Sequence, residues 1–235
     1  MSCQKHRLVR ATLQQVESLQ AAGIKAIARP VLEASTRQGA SADKASRLAD
    51  LAKAVLACRR CPLYKTRTNI VLSDGTPQAK LVFVGEAPGR DEDLQGIPFV
   101  GRAGQLLTKM INAMGFKREE VYICNVLKDR PPGNRTPLPE EMEACFSFLE
   151  EQLRIVQPKV ICSLGSIATK ALIGPYISIM KVRGQVWDFQ GTPLIPTLHP
   201  AYLLRNPDAK KLAWEDLKKV KKLLETSSSA SSAKQ

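Results

Sequence analysis

The stretch LVFVGEAPGRDED, Leu81 to Asp93, begins as an apolar strand and ends as an acidic turn. A short apolar run that leads into glycine predicts a buried strand of an α/β sheet. Four carboxylates follow, although the chain carries a net charge of +13: Glu86, Asp91, Glu92 and Asp93. The stretch therefore raises the question of why a basic protein places acids at the end of a core strand.

Strand and helix patterns alternate on both sides of this stretch. Strands are predicted at 80–85, 121–127 and 159–164, helices at 103–114, 140–156, 166–173 and 208–225, and a hairpin around WDFQGTPLIPTL. This order predicts an α/β fold, a three-layer sandwich in which a central, mostly parallel sheet is flanked by helices. Ligands of such sheets bind beyond the carboxyl ends of the strands, where GEAPG, NVLKDRPPGNR and HPAYLLRNP lie.

Two segments flank the central domain, which is predicted to span residues 46–225. Residues 1–45 are basic and have no strand pattern, so we expect an appended arm that is partly helical or disordered. An Arg-rich targeting peptide is the weaker interpretation, because Glu17 and Glu33 dilute the acid-poor composition of such peptides. Residues 226–235 are a Ser-rich tail that we expect to be disordered.

The charge and composition of the chain limit the classes of partner that it can bind. It has 35 Lys and Arg against 22 Asp and Glu, which favours a polyanion, with nucleic acid ahead of an anionic membrane. There is no apolar run of about 18 residues and no charged-then-apolar start, so we expect a soluble, intracellular protein. The six cysteines are then expected to be thiols or metal ligands.

The glycines of GEAPG raise the possibility of a phosphate-binding loop. The spacing is not that of a dinucleotide loop, and no Gly-Lys-Ser/Thr follows. Pro88 removes one amide donor, and the nearby carboxylates repel phosphate. A nucleotide cofactor is therefore disfavoured, and a tight turn with solvated acids is the plainer alternative.

Polar side chains follow two other predicted strands. His199 comes directly after PLIPTL, and Asn125 ends the apolar run of VYICNVL. A lone histidine at a strand end is as often a satisfied core residue as a functional one. An asparagine presents a donor and an acceptor in one plane, which can match the edge of a base.

Two loops carry cations beside these strand ends. KDRPPGNRTPLPE is stiffened by prolines and can present Lys128, Arg130 and Arg135 to a phosphate backbone, or it is only a connector. In AYLLRNP, Leu203 and Leu204 precede Arg205. Apolar side chains beside a cation suit a wedge that enters a base stack, and the alternative is a loop whose leucines pack inward.

The cysteines fall into two groups. Cys58 and Cys61 form a C-x-x-C pair, which fits a redox pair or half of a zinc or iron site. Cys145, on the predicted helix after the proline-rich loop, is a third candidate ligand. Cys124 and Cys162 lie in apolar strands and are predicted to be buried hydrophobic residues.

Five motifs in order resemble a known family: CRRCPL, GEAPGRDED, PFVGRAGQLL, NVLKDRPPGNRTP and HPAYLLRNP. Over about residues 55–225 the chain is similar to family 4 uracil-DNA glycosylases, the iron–sulfur type of bacteria and archaea. The resemblance implies a four-stranded parallel sheet between helices. It also implies a monomer, in a prokaryotic cytoplasm, that hydrolyses the N-glycosidic bond of deoxyuridine in single- or double-stranded DNA and leaves an abasic site.

The resemblance also implies roles for residues at the strand ends. Pocket residues are implied to line, stack on or hydrogen-bond the flipped uracil: Glu86, Ala87, Pro88, Phe99 and Asn125. His199 is implied to stabilise negative charge on uracil O2, and Glu92 to exclude the thymine methyl group or to organise water. The segment Ala201–Asn206 is implied to press into the duplex, with Leu203, Leu204, Arg205 and Arg135 as DNA contacts.

These roles offer an explanation for the acidic turn. The flipped base is neutral, while the sugar becomes oxocarbenium-like as its bond to the base breaks. A carboxylate near the pocket can stabilise that cation and order a water molecule. The basic surface outside then supplies affinity for DNA, which should weaken steeply with salt.

The chain departs from the family pattern at one position. The family has a cysteine after the lysine of the strand-end loop, where this chain has Asp129. Three outcomes are open: Asp129 ligates iron through oxygen, the fourth iron is lost, or Cys124 substitutes. We predict a 4Fe–4S cluster on Cys58, Cys61, Asp129 and Cys145, labile at the Asp129 corner, that pins the DNA-facing loop.

Two other functions compete with uracil excision. A non-catalytic nucleic-acid-binding module explains the charge but not the polar residues at three strand ends. A related glycosylase that traps its product covalently has a basic, histidine-containing insert after HPAYLLR, whereas NPDAKK here has no histidine. The sequence leaves open which other deaminated bases are accepted.

Overall fold

A six-stranded sheet forms the centre of the computed structural model, which describes residues 37–232. Its strands are β1 (Ser73–Gly75), β2 (Leu81–Gly85), β3 (Tyr122–Asn125), β4 (Val160–Leu164), β5 (Trp187–Phe189) and β6 (Thr192–Thr197). The strand order is β1-β3-β2-β4-β6-β5. The four central strands, β3, β2, β4 and β6, are parallel, and β1 and β5 pair antiparallel at the edges.

Helices cover both faces of this sheet. They are α1 (Arg37–Ala57), α2 (Arg90–Gln95), α3 (Arg102–Ala113), α4 (Pro139–Val156), α5 (Gly165–Ile173), α6 (Ile179–Val182), α7 (Pro200–Arg205) and α8 (Lys210–Ser232). Residues of α1, α4 and α5 pack on one face, and residues of α3 and α8 on the other. The predicted three-layer α/β class is confirmed, with two short edge strands added to the four parallel ones. None of the helices in residues 37–232 is both long and apolar enough to cross a membrane.

The alternation of side chains along β2 explains the two layers. Val82 and Val84 pack against one set of helices, while Leu81 and Phe83 pack against the other. All four are buried, and each such side chain contributes about 1.5–3 kcal/mol to folding. The quoted apolar run is therefore a central strand that is buried on both faces.

The structure describes little of the predicted N-terminal arm and most of the predicted C-terminal tail. Most of the predicted arm, residues 1–36, lies outside the described residues, and α1 begins at Arg37, before the predicted domain boundary. The final helix continues through Ser232, within the tail 226–235 that was predicted to be disordered, and residues 233–235 lie outside the described residues. Extending an existing helix requires no new nucleus, so alanines and serines can continue it.

The topology determines where a ligand can bind. From β2 the chain passes to β3 on one side of the sheet and then to β4 on the other. The connections that leave the adjacent strands β2 and β4 therefore run in opposite directions, towards β3 and towards the β5–β6 edge, which opens a crevice at the carboxyl ends of the strands. Gly85 and Asn125 are paired at this edge, so the segments that follow β2 and β3 begin side by side.

Candidate active site

A cavity of about 540 Å³ lies at this edge of the sheet. It is formed by the segments that follow β2, β3 and β6, together with the start of α7. Its walls include the residues for which the sequence predicts contact with a base and two that are predicted to contact DNA: Glu86, Ala87, Pro88, Glu92, Phe99, Asn125 and His199, with Arg135 and Arg205. Residues separated by more than a hundred positions thus share one site, and their individual roles remain predictions.

Asn125 is held at the cavity wall by the end of β3. It is 1% exposed, and no donor in the described part of the chain bonds its side-chain oxygen. A buried polar atom without a partner costs about 1–3 kcal/mol, so such an atom beside a cavity indicates a ligand that supplies the missing donor. A Cβ on Gly85 would lie 2.3 Å from this oxygen, so glycine is needed there for Asn125 to reach the cavity.

Phe99 forms another wall of the cavity. Its φ of 55° is in the left-handed region, which phenylalanine seldom adopts. Its ring lies 5.7 Å from the His199 ring, at an interplanar angle of 33°. The backbone strain at Phe99 is therefore located at the site, where surrounding contacts must hold the ring in place.

His199 is the N-cap of α7, and its hydrogen bonds define its tautomer. The Ala201 amide donates to Nδ1 at 3.1 Å, so the proton of a neutral ring is on Nε2. Burial, reinforced by the charge of Arg205, lowers the pKa of His199 to about 4. At neutral pH the ring is therefore an uncharged donor through Nε2, the state suited to stabilising a developing anion.

The acids of the opening stretch have separate functions. The Glu86 carboxyl lines the cavity, and burial raises its pKa above the ordinary value. Asp93 is buried away from the cavity and accepts hydrogen bonds from the amide and hydroxyl of Thr68. Asp91 is exposed. The turn is therefore not a uniformly solvated loop, since Glu86 and Glu92 line the cavity and Asp93 is buried.

Glu92 holds the backbone around Phe99. One carboxylate oxygen accepts from the amides of Val100 and Gly101, each at 3.0 Å, and the other accepts from the Gly89 amide at 3.1 Å. A carboxylate bound by three amides is already satisfied and fixes the segments that carry them. Glu92 therefore positions the cavity wall that it also lines, and its implied role towards the base or water stays a prediction.

Replacing Glu92 by alanine is expected to lower the free energy of unfolding by about 3 kcal/mol, because three amides lose a charged acceptor. Excision should slow at the same time, since Phe99 is no longer held. Glu92→Gln keeps an oxygen for two of the three amides and should retain most of both properties. Chemical denaturation and single-turnover excision rates measure the two effects.

The exposed Asp91 supplies the control, and Asp91→Asn should match the wild type in both assays. If Glu92→Gln were as stable as the wild type but as slow as Glu92→Ala, the carboxylate would take part in the chemistry directly.

The predicted DNA contacts of α7 need one correction. Leu203 is 1% exposed and packs with Leu198 and Ala213, so it cannot enter a base stack. Its side chain lies on the core side of the short helix, which is the inward packing given above as the alternative for this segment. Leu204 is half-buried, while Tyr202 is 37% exposed and lines the cavity mouth with Arg205. Tyr202 belongs to the segment Ala201–Asn206 that is implied to press into the duplex, but no separate role was predicted for it.

The cations of the proline-rich loop are also less free than predicted. Lys128 is 0% exposed, and its Nζ donates to the main-chain oxygen of Asn125 at 2.5 Å, so it cannot contact a phosphate backbone. Arg135 lines the cavity, but its guanidinium donates to both oxygens of Glu141 at 2.8 and 2.6 Å. Lys128 therefore supports Asn125, and Arg135 is a fixed cation whose charge is partly neutralised.

The three cysteines predicted to bind iron are electrostatic neighbours. Burial raises the pKa of the Cys61 thiol, and the charges of Asp129 and Cys58 raise it further. Burial raises the pKa of Cys145 to about 11, to which Asp129 and Cys61 contribute. Among residues 37–232 no group of three ligand side chains can hold a single metal ion. In a cluster each thiolate binds a different iron, so its ligands lie farther apart.

Asp129 differs from the three cysteines. Both of its oxygens accept from Arg67 Nη1 at 3.1 Å. Three partly buried thiols are the soft ligands that an iron–sulfur cluster requires, whereas a carboxylate that is bound to a guanidinium is not available to iron. The cysteines therefore fit a cluster, and Asp129 does not.

Similarity to known proteins extends over most of the chain. The protein-family model of the uracil DNA glycosylase superfamily matches residues 72–218. The chain is 49% identical over 171 residues to a type-4 uracil-DNA glycosylase of Thermotoga maritima, an alignment that covers 71% of this chain and 89% of that protein. It is 44% identical over 184 residues to a type-4 uracil-DNA glycosylase of Archaeoglobus fulgidus, with coverages of 75% and 92%. A type-5 uracil-DNA glycosylase of Pyrobaculum aerophilum is 30% identical over 164 residues, with coverages of 62% and 71%.

Proposed function

Because the chain belongs to the uracil-DNA glycosylase superfamily and resembles its type-4 members, we propose that the cavity at the strand ends is where it excises uracil. The protein is a DNA repair hydrolase that cleaves the N-glycosidic bond of deoxyuridine in DNA. The observation that supports this location best is the buried, unpartnered oxygen of Asn125 at the cavity wall. Uracil supplies the missing donor at N3–H.

The cavity recognises the base through its edge and its face. The Asn125 oxygen accepts from uracil N3–H, and the same amide donates to O4. The ring of Phe99 stacks on the flipped base, and Glu86, Ala87 and Pro88 line the remaining wall. Enclosure by these groups replaces the stacking that the base loses when it leaves the duplex.

The bond to the base breaks with separation of charge. The electron pair of the N-glycosidic bond goes to uracil N1, and the negative charge spreads to O2, where the His199 Nε2–H donates. The sugar becomes cationic, and the Glu86 carboxylate stabilises it and orients a water molecule. The oxygen of that water bonds to the sugar, and its proton passes to Glu86, whose raised pKa suits it to accept a proton.

The DNA is held outside the cavity by α7 and the basic face of α8. Tyr202 and Leu204 face the base stack, and Arg205 contacts the backbone. Exposed lysines of α8 extend the positive surface: Lys210, Lys211, Lys218, Lys219, Lys221 and Lys222. We propose that one chain is sufficient, because residues of one chain form the cavity walls, and that it acts on single- and double-stranded DNA in the prokaryotic cytoplasm, at the nucleoid.

The cofactor is part of the same proposal. Cys58, Cys61 and Cys145 would hold an iron–sulfur cluster between the end of α1 and the start of α4. Such a cluster would supply a structural cross-link near the loop that carries Arg135, and it takes no part in the hydrolysis.

Excision is tested directly with two single-stranded oligonucleotides that differ only in carrying uracil or thymine at one position. The protein should release free uracil from the uracil oligonucleotide and leave an alkali-labile site there. It should form a covalent adduct with neither oligonucleotide. Retarded migration without breaks would indicate a binding module instead. A protein–DNA adduct that survives denaturation would identify the product-trapping type of glycosylase.

A further inference from the structure

The Arg67–Asp129 ion pair lies where the cluster would have its fourth ligand. Asp129 is the second residue of the loop KDRPPGNR, and Arg67 follows the segment that carries Cys58 and Cys61. Both side chains are only 9% exposed. The pair therefore joins the two segments that a cluster would join, and it does so in the protein interior.

Arg67 makes this connection through more than one contact. Its guanidinium also donates to the main-chain oxygens of Val55, at 3.3 Å, and Leu56. Those oxygens belong to the last turn of α1, where helical carbonyls have no intrahelical partner and attract cations. Arg67 thus satisfies the end of α1 and Asp129 together.

Metal ligation by Asp129 would break this arrangement. Moving the carboxylate to iron would leave a mostly buried guanidinium without its counter-charge, which is strongly unfavourable. Iron would receive a hard oxygen ligand where it prefers thiolate, so the new bond would offset little of that cost. The hydrogen-bonded geometry favours Asp129 as the partner of Arg67 in both the iron-bound and the iron-free protein.

We propose that the Arg67–Asp129 ion pair replaces the fourth cluster ligand structurally, so that iron is held by the thiolates of Cys58, Cys61 and Cys145 alone. The pair fixes the DNA-facing loop without iron, and the cluster has one corner without a protein ligand. The three-thiolate binding of iron rests on the proposed cluster, whereas the role of the ion pair in fixing the loop does not.

The first test uses protein from which a chelator has removed the iron. Arg67→Ala and Asp129→Ala should each lower the Tm by about 10 °C, because each leaves one buried charge unpaired. The double variant should melt no lower than the less stable single variant, since both remove the same interaction. Arg154→Ala is the control. It breaks an exposed ion pair with Glu151, 66% and 32% exposed, and should shift the Tm by about 2 °C or less.

Two results would overturn the structural role of the pair. One is that the Tm shifts of the single variants add in the double variant. The other is that Asp129→Ala melts like the wild type once iron has been removed, because Asp129 would then act only through the metal.

The second test measures iron and sulfide after anaerobic reconstitution. Asp129→Asn keeps an oxygen for Arg67 but is a poor iron ligand, so it should bind as much iron per chain as the wild type. Asp129→Cys supplies a fourth thiolate and should retain its iron longer in air. A lower iron content in Asp129→Asn would show that Asp129 is a ligand and would overturn the three-thiolate site.

The two proposals can fail separately. If neither the wild type nor Asp129→Cys takes up iron, the cluster and its three-thiolate site are both wrong. The Tm shifts in the iron-free protein still decide whether the ion pair holds the loop.

Discussion

His199→Ala is expected to slow single-turnover excision about 100-fold, the effect of losing one donor to a developing anion. The neutral ring donates through Nε2, since the Ala201 amide occupies Nδ1. Its removal deletes the donor to uracil O2 in the transition state. DNA affinity and its salt dependence should change little, because an uncharged side chain contributes no phosphate contact. Single-turnover rates and binding isotherms measured at the same salt concentration separate the two effects.

The cap at the start of α7 requires its own control. His199→Ala removes both the donor and the acceptor for Ala201, whereas His199→Asn supplies a good N-cap without the imidazole. Both variants should be slow, but only the alanine variant should lose about 1 kcal/mol of stability. A loss of rate below about threefold in His199→Ala would show that His199 is structural.

The pH dependence provides an independent check on His199. Its folded-state pKa is about 4, below the ordinary value of 6.5, so the unfolded chain takes up a proton first as the pH falls. Stability from this residue is therefore complete above pH 6.5 and is lost as the pH falls towards 4. Tm should fall less steeply over this range in His199→Asn than in the wild type. The acid limb of the rate should instead follow Glu86, whose pKa is raised by burial.

The sequence predicts the central strands well because their environment is simple. Val82 and Phe83 lie in a strand buried on both faces, and such strands are continuous apolar runs. The carboxyl ends of parallel strands are adjacent. Glu86, Asn125 and His199, which follow three such strands, could therefore be assigned to one site from the sequence. The edge strand β1 was not predicted, because its sequence Ser-Asp-Gly has no apolar alternation.

The sequence predicts less about which side chains are free. Lys128 and Leu203 were expected to face DNA but are buried, because their exposure depends on contacts elsewhere in the fold and on the direction of a short helix. Glu92 was accessible to sequence reasoning, because it is the third residue after Gly89 and its carboxylate bonds the Gly89 amide, as in a capping box. The Arg67–Asp129 pair has no local signal of this kind.

Asn125→Asp is expected to change which base is cut. Uracil presents N3–H and a carbonyl at position 4, where cytosine presents a bare nitrogen and an amino group. The wild-type amide matches uracil, and against cytosine it leaves buried polar groups unsatisfied at about 1–3 kcal/mol. Gly85 leaves room for a side chain of this shape, and the buried Lys128 bonds the main chain of the same residue, so the substitution should keep its place in the wall.

A carboxylate at this position no longer has the N–H that donates to uracil O4, but it accepts from the cytosine amino group. Asn125→Asp should therefore cut uracil at least tenfold more slowly and acquire a low, measurable activity on cytosine. That activity should be confined to unpaired or mismatched cytosines, where flipping is least costly. Matched oligonucleotides that carry uracil or cytosine, scored for alkali-labile breaks, test both changes, and Asn125→Ala controls for loss of the amide without a new acceptor. If Asn125→Asp kept the uracil rate and preference of the wild type, the unpartnered oxygen of Asn125 would not read the base, and another wall of the cavity would have to do so.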